Sequence, residues 1–162
     1  ALAALKTLGD KVNRATRSMG VALTSCTVPA AGRPTFDIGP DEMEMGVGIH
    51  GEPGRRRVAL RSANEIAEEM VSTISGDLGS GGDALLFVNG FGGTPLMELY
   101  VMYNAAATQL AKHGIRPVRS LVGSYVTSLD MAGCSITVSI LDEDAAKYWD
   151  APVHTPALRW GL

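Results

Sequence analysis

The chain has 162 residues, 46% of them apolar and 19% charged, with a formal net charge of −3. That balance suits one globular domain and excludes the broad basic footprint of a nucleic-acid or membrane-surface binder. Its 2 cysteines, Cys26 and Cys134, share no C-x-x-C spacing, which excludes a disulfide framework and a zinc pattern. No stretch approaches the ~18 apolar residues of a membrane span, and no signal-peptide pattern opens the chain, so a cytoplasmic location is expected. The first residue is Ala rather than Met, which points to a fragment or processed piece.

Residues 1–14 carry Leu2, Leu5, Leu8 and Val12 at helical spacing. Residues 19–26 read as a buried strand, 30–34 as a turn and 35–38 as a short strand ended by Gly39-Pro40. From 42 to 49 the chain alternates. Met43, Met45, Val47 and Ile49 fall on one face and Glu44, Gly46 and Gly48 on the other, the period of a half-buried strand. Ser62 and Glu65 form a capping-box pattern, followed by the helix face Ile66, Met70, Val71 and Ile74, ending near Gly76. After a loop at 76–82, the apolar run 84–88 predicts a central strand. A glycine turn at 89–93 leads to Thr94-Pro95, an N-cap followed by proline at the first helical position. That helix buries Leu96, Leu99, Tyr103, Ala106, Ala107 and Leu110 and closes at His113-Gly114. Strands are predicted over 117–122 and 135–141, separated by a polar loop, then a short helix over 142–149 with acids in its first turn. The tail from 151 is extended. About six strands and four helices, with strands first and alternation later, predict an α/β fold: a mixed sheet with helices mainly on one face.

One stretch carries chemistry above the rest. His50 ends a strand-like run between Gly48 and Gly51, and Glu52-Pro53-Gly54 breaks the chain behind it. Bare backbone on both sides leaves the ring accessible and lets a small ligand approach. A histidine so placed can act as nucleophile, general base or metal ligand; the alternative is a surface-turn histidine bonded to a carbonyl. Glu52 could orient the ring or cap the turn. Arg55-Arg56-Arg57 forms a solvated corner or a local anion contact. Close to His50, these charges would disfavour its protonation. The 89–94 turn offers free N–H groups to an anion, but it lacks the G-K-[ST] of a P-loop and the G-x-G-x-x-G of a dinucleotide fold, so plain strand-to-helix packing is the stronger reading. Asp130 is expected to cap a turn. His50, His113 and His154 share no ligand spacing, so no metal site is expected, and His113 is placed as a helix C-terminal cation.

The stretches 26–34, 43–54, 89–100, 128–133 and 151–160, taken in order, resemble the dihydroxyacetone kinase substrate-binding family, and Gly-Ile-His-Gly-Glu-Pro-Gly at 48–54 is the specific element. The resemblance implies a two-layer, six-stranded mixed sheet, with 1–162 as a single domain matching the second domain of the substrate-binding subunit and the first domain absent. It implies that His50 binds substrate by adding to the ketone of dihydroxyacetone as a covalent hemiaminal. The phosphoryl donor is then a partner subunit carrying nucleotide and Mg²⁺, with no cofactor bound by this chain. It also implies a homodimer in full-length form, no nucleic-acid or membrane partner, a separate subunit rather than the ATP-using fused enzyme, and little turnover by this chain alone. The alternative is a non-catalytic paralogue acting as a regulator; such relatives tend to lose the histidine that stands here at His50.

Overall fold

The computed structural model describes residues 2–30, 32–34, 36–48 and 54–161. In chain order the elements are α1 (Leu2–Arg14), β1 (Thr16–Ala22), β2 (Glu42–Met45), β3 (Arg56–Ala59), α2 (Ala63–Leu78), β4 (Gly82–Gly90), α3 (Leu96–Lys112), β5 (Ile115–Gly123), β6 (Gly133–Ile140), α4 (Glu143–Trp149), β7 (Val153–His154) and β8 (Arg159–Trp160). Six strands form one sheet in the order β3-β2-β1-β6-β4-β5. β4 and β5 run parallel, joined through α3, and every other adjacent pair is antiparallel. This is the predicted mixed α/β sheet.

Alternation along the strands decides the faces. Val21, Met43, Met45, Leu86, Val88, Ile136 and Val138 all point to one side and are buried there with Ile66, Met70 and Ile74 of α2 and Leu99 and Leu110 of α3. The apolar run expected at 84–88 accordingly lies between two partner strands, with Leu86 and Val88 fully buried. α2 starts on the predicted box: Ser62 Oγ accepts the Glu65 N–H at 3.4 Å, and Glu65 Oε2 accepts the Ser62 N–H at 3.0 Å. It runs two residues past Gly76 and stops at Gly79, whose φ of 85° suits glycine. On the opposite side of the sheet, α1 and α4 flank a groove floored by Leu85 and Phe87. Neither of these helices has a fully buried residue.

β2 and β3 are joined to the rest of the sheet narrowly. β1 pairs with β6 at seven positions, but with β2 only at Val21↔Met45 and Ala22↔Glu44. The predicted strand 42–49 stops at Met45 because Gly46 turns the chain at a φ of 79°. Val47 therefore leaves the Met43/Met45 face and packs into a second cluster; Ile49 lies outside the described residues. The expected strand at 35–38 is not formed over 36–38. Phe36 and Ile38 instead pack as loop residues against the second cluster, so their apolar character serves a loop anchor. β3 was hidden in the arginine run. β1 begins at Thr16, ahead of the predicted start, and ends at Ala22. The predicted cap of α3 moves by one residue: Pro95 is the N-cap and makes no side-chain capping bond. The tail is extended but folds back as the β7–β8 ribbon, with the Trp149 and Trp160 ring centroids 4.9 Å apart.

Candidate functional site

The stretch singled out in the sequence leaves the sheet at Met45 and returns at Arg55. Two backbone bonds close its stem: Gly46 N–H to Gly20 O and Arg55 N–H to Met45 O, both 2.7 Å. Two glycines make the stem possible. A Cβ on Gly46 would sit 2.8 Å from Arg55 Cγ, and one on Gly54 would sit 2.5 Å from Met45 O and 2.6 Å from Glu44 Cγ. His50 itself, with Glu52, lies outside the described residues.

Beside the stem, Glu44 occupies an environment that period-two alternation did not reveal. The strand's polar face was expected to be solvated, yet Glu44 is only 7% exposed. Its Oε2 accepts from Arg57 Nε at 3.0 Å across the β2–β3 pair, and Arg57 also lies 3.9 Å from Glu42. Arg56 pairs with Glu69, which also takes Arg61 at 3.1 Å. Two of the three consecutive arginines are thus neutralised. Arg55 has no ion-pair partner among the described residues, and its side chain lies over Gly46. A cavity of about 300 Å³ adjoins it, lined by Arg17, Arg55, Asp77, Ser18, Ser135 and the backbone of 46–48. Arg17 Nε faces Asp77 Oδ2 at 3.6 Å there, leaving a local excess of one positive charge among these three groups.

The structure brings four of the predicted stretches together in a second cluster, apart from the core that α2 and α3 cover. Ala22, Cys26, Val47, Phe91 and Met131 form one buried cluster. Gly20 lies beneath it: a side chain there would meet the Val47 carbonyl and, at 3.0 Å, the Phe91 ring. The 89–94 turn works as packing rather than as an open anion cradle. Asn89, 2% exposed, accepts the Tyr125 and Val126 N–H groups on Oδ1 at 3.0 and 2.9 Å and donates Nδ2–H to Val126 O at 2.8 Å. Thr94 Oγ1 accepts the Gly133 N–H at 2.7 Å and donates to Gly133 O at 3.0 Å. Gly93 N–H donates to Met131 O at 2.9 Å. Asp130 reaches across to accept the Thr27 N–H at 3.2 Å, tying two loops together instead of capping its own turn. His113 is the C-cap of α3 and His154 lies in β7, so neither joins the stem region through an adjacent element. Cys134 is buried, and burial pushes its thiol up to about 12, which keeps it protonated and unreactive at neutral pH. Among the described residues no three His, Cys, Asp or Glu side chains gather as a metal site, and no helix is long and apolar enough to cross a membrane.

A sequence profile described as Dak1 domain matches residues 1–157. The chain belongs to the Dak1 family. It is 43% identical to the PEP-dependent dihydroxyacetone kinase, dihydroxyacetone-binding subunit DhaK, of Escherichia coli, across 95% of this chain and 51% of that one. It is also 43% identical to the L-erythrulose 1-kinase of Mycolicibacterium smegmatis, across 93% of this chain and 28% of that protein. Among solved Dak1-like structures, the dihydroxyacetone kinase operon co-activator DhaQ superposes with a TM-score of 0.87 at 29% identity, over 94% of this chain and 48% of that one. The dihydroxyacetone kinase of C. freundii superposes with a TM-score of 0.80, also at 29% identity, over 98% of this chain and 29% of that one. The chain thus spans about half the length of the DhaK subunits it matches, and less of the longer kinases.

Proposed function

We propose that the chain is the dihydroxyacetone-binding part of a dihydroxyacetone kinase, holding the ketone as a covalent hemiaminal on His50 for phosphorylation to dihydroxyacetone phosphate. The observation that carries this reading is the motif at 48–54 on a glycine-dependent stem, in a Dak1 chain whose relatives include named dihydroxyacetone-binding subunits. The step balances within the residue and substrate. The unprotonated imidazole nitrogen attacks the carbonyl carbon, a C–N bond forms and the C=O π bond breaks. The oxygen takes a proton, and the ring gives up the proton on its other nitrogen. Glycerol has no carbonyl and cannot enter this adduct. On this reading the chain corresponds to the second domain of the substrate-binding subunit, which in full-length form pairs with a second copy. Nucleotide and Mg²⁺ sit on a phosphoryl-donor partner subunit in the cytoplasm, and turnover needs both the first domain of the substrate-binding subunit and that partner.

The test is ¹³C NMR and intact-mass detection of an adduct with ¹³C-dihydroxyacetone, in the chain alone and joined to the N-terminal half of a full-length relative. An adduct lost in His50→Ala supports the proposal; one that persists in the variant overturns it. A second reading, a non-catalytic regulator, is favoured by the likeness to the DhaQ co-activator. Absence of any adduct, together with specific binding to a transcription factor, would select it.

A further inference from the structure

The outer face of α3 is not that of a helix bathed in water. Its neighbour α2, on the same side of the sheet, turns Glu65, Glu68 and Asp77 outward, as a solvated helix does. On α3 the outward residues are Met97, Val101, Asn104, Thr108 and Ala111, and no charged residue stands between Glu98 and Lys112. Leu96, Tyr100 and Val101 are each more than half exposed, and Met97 is 76% exposed. Four large apolar side chains uncovered within two turns of one helix mark an interaction surface. The positions 97, 101, 104, 108 and 111 follow the alternating four-and-three spacing of a helix-pairing seam. The seam tapers, with bulky residues at its N-terminal end and small ones at its C-terminal end. Thr108 donates its hydroxyl to Asn104 O at 2.8 Å and so makes no polar demand on a neighbour. The Asn104 side chain has no hydrogen-bond partner among the described residues. Glu98 and Lys112 each follow a seam residue, which puts both on the same flank, and neither has an ion-pair partner among the described residues.

We propose that α3 is the surface on which a second copy of this chain docks, the two helices running antiparallel about a two-fold axis near Asn104. Position by position, that pairing is complementary in size and in charge. Met97 meets the partner's Ala111, Val101 meets the partner's Thr108, and the two Asn104 amides face each other, each able to donate and accept. Glu98 stands opposite the partner's Lys112, and symmetry makes the pair twice. A parallel pairing would instead set Met97 on Met97 and Ala111 on Ala111, with Glu98 facing Glu98 across the flank. The 17-residue helix offers a strip about 26 Å long and about 10 Å wide. That is well short of the ~800 Å² per partner of a standard interface, so the dimer is a reversible one, with a dissociation constant of about 10–100 µM. The inference rests on the pairing of copies proposed above and not on His50, so dimerisation and adduct chemistry fail separately.

Sedimentation equilibrium of the chain from about 1 to about 500 µM reads the association directly. A reversible dimer is expected. Val101→Glu puts a charge into the seam and should weaken it by about tenfold or more. Glu98→Lys and Lys112→Glu should each weaken it, and the double variant should restore the unaltered affinity, because only antiparallel helices bring these two positions together. Asn104→Cys should cross-link to its own copy under mild oxidation, both in the chain alone and when joined to the N-terminal half of a full-length relative; the native Cys26 and Cys134 are buried. A monomer throughout that range, or a dimer that Val101→Glu leaves unchanged, overturns the inference. If Val101→Glu does not fold, failure of the double variant to restore affinity does so. In the joined chain, an Asn104→Cys thiol that is shielded from reagents yet forms no cross-link places the first domain on this face and also overturns it. A dimer that behaves as expected, with no dihydroxyacetone adduct, upholds the inference and sinks the hemiaminal alone.

Discussion

Replacing Asn89 with Ala removes a side chain that acts as a piece of backbone for the loop after β5. Three hydrogen bonds disappear together: two accepted from the Tyr125 and Val126 N–H groups and one donated to Val126 O. Each is worth about 1 kcal/mol net, and more where the abandoned partner stays out of water. Asn89 is only 2% exposed, so its own site does not rehydrate easily, whereas Val126 at 46% lies where its peptide can partly regain solvent. The balance is a loss of about 2–3 kcal/mol, or very roughly 5–10 °C in Tm for a domain of this size. Urea unfolding should show a lower midpoint at unchanged slope, since the loop is a small part of the surface exposed on unfolding. Amide exchange at Tyr125 and Val126 should accelerate well beyond the global change. A loss below about 0.5 kcal/mol, or protection at those amides falling no further than elsewhere, would refute the claim that Asn89 templates the loop.

Thr94→Val keeps the shape of the side chain but leaves the Gly133 N–H without its partner and removes one of two bonds to Gly133 O, which keeps the Phe91 N–H at 3.1 Å; a loss of about 1–2 kcal/mol in chemical denaturation is expected. Gly54→Ala forces a methyl against Met45 O and Glu44 Cγ, so a cost of about 1–3 kcal/mol is expected, with loss of any dihydroxyacetone adduct by mass spectrometry. The Ser62 hydroxyl, then the Ser62 backbone N–H, hold the Glu65 carboxyl below its ordinary range. A lowered folded-state value gives stability that is present above the unfolded carboxylate value and is lost as pH falls through the folded one. Glu65→Gln should therefore flatten the acid limb of the stability curve below about pH 4.5.

How much was legible varied with the kind of signal. Helices and central strands were clear, because the periodicity of α2, the cap at Ser62 and the apolar run of β4 each report a local cause. The alternation at 42–49 was half right. It gave Met43 and Met45 their burial, but one positive φ at Gly46 redirects everything after it, and glycine spacing does not announce which glycine turns. Arg56–Ala59 was concealed because three arginines suggest a solvated corner. Their partners Glu69 and Glu44 become neighbours only through folding, so the signal for a strand there was non-local. Glu44 was missed for the same reason: alternation assigned it to the polar face, and that face is covered by the chain's own return at Gly54. His50 was singled out by its residue type and glycine setting, which are local.

The narrow attachment of β2 and β3 has a thermodynamic consequence. Two register pairs join them to β1, whereas β1, β6, β4 and β5 are laced along most of their lengths. Met43 and Met45 anchor the hairpin in the core and Arg56 ties it to Glu69 of α2, so its seating is held by side chains more than by the ladder, and amide exchange is expected to be faster in the hairpin than in the slab beside it. The hairpin also carries the segment that would bind. Any ligand that engages this segment only when the hairpin is seated adds its binding free energy to that joint. Occupancy would then be written in the exchange rates of Met43 to Met45, and the hairpin would serve as the molecule's own gauge of whether its site is filled.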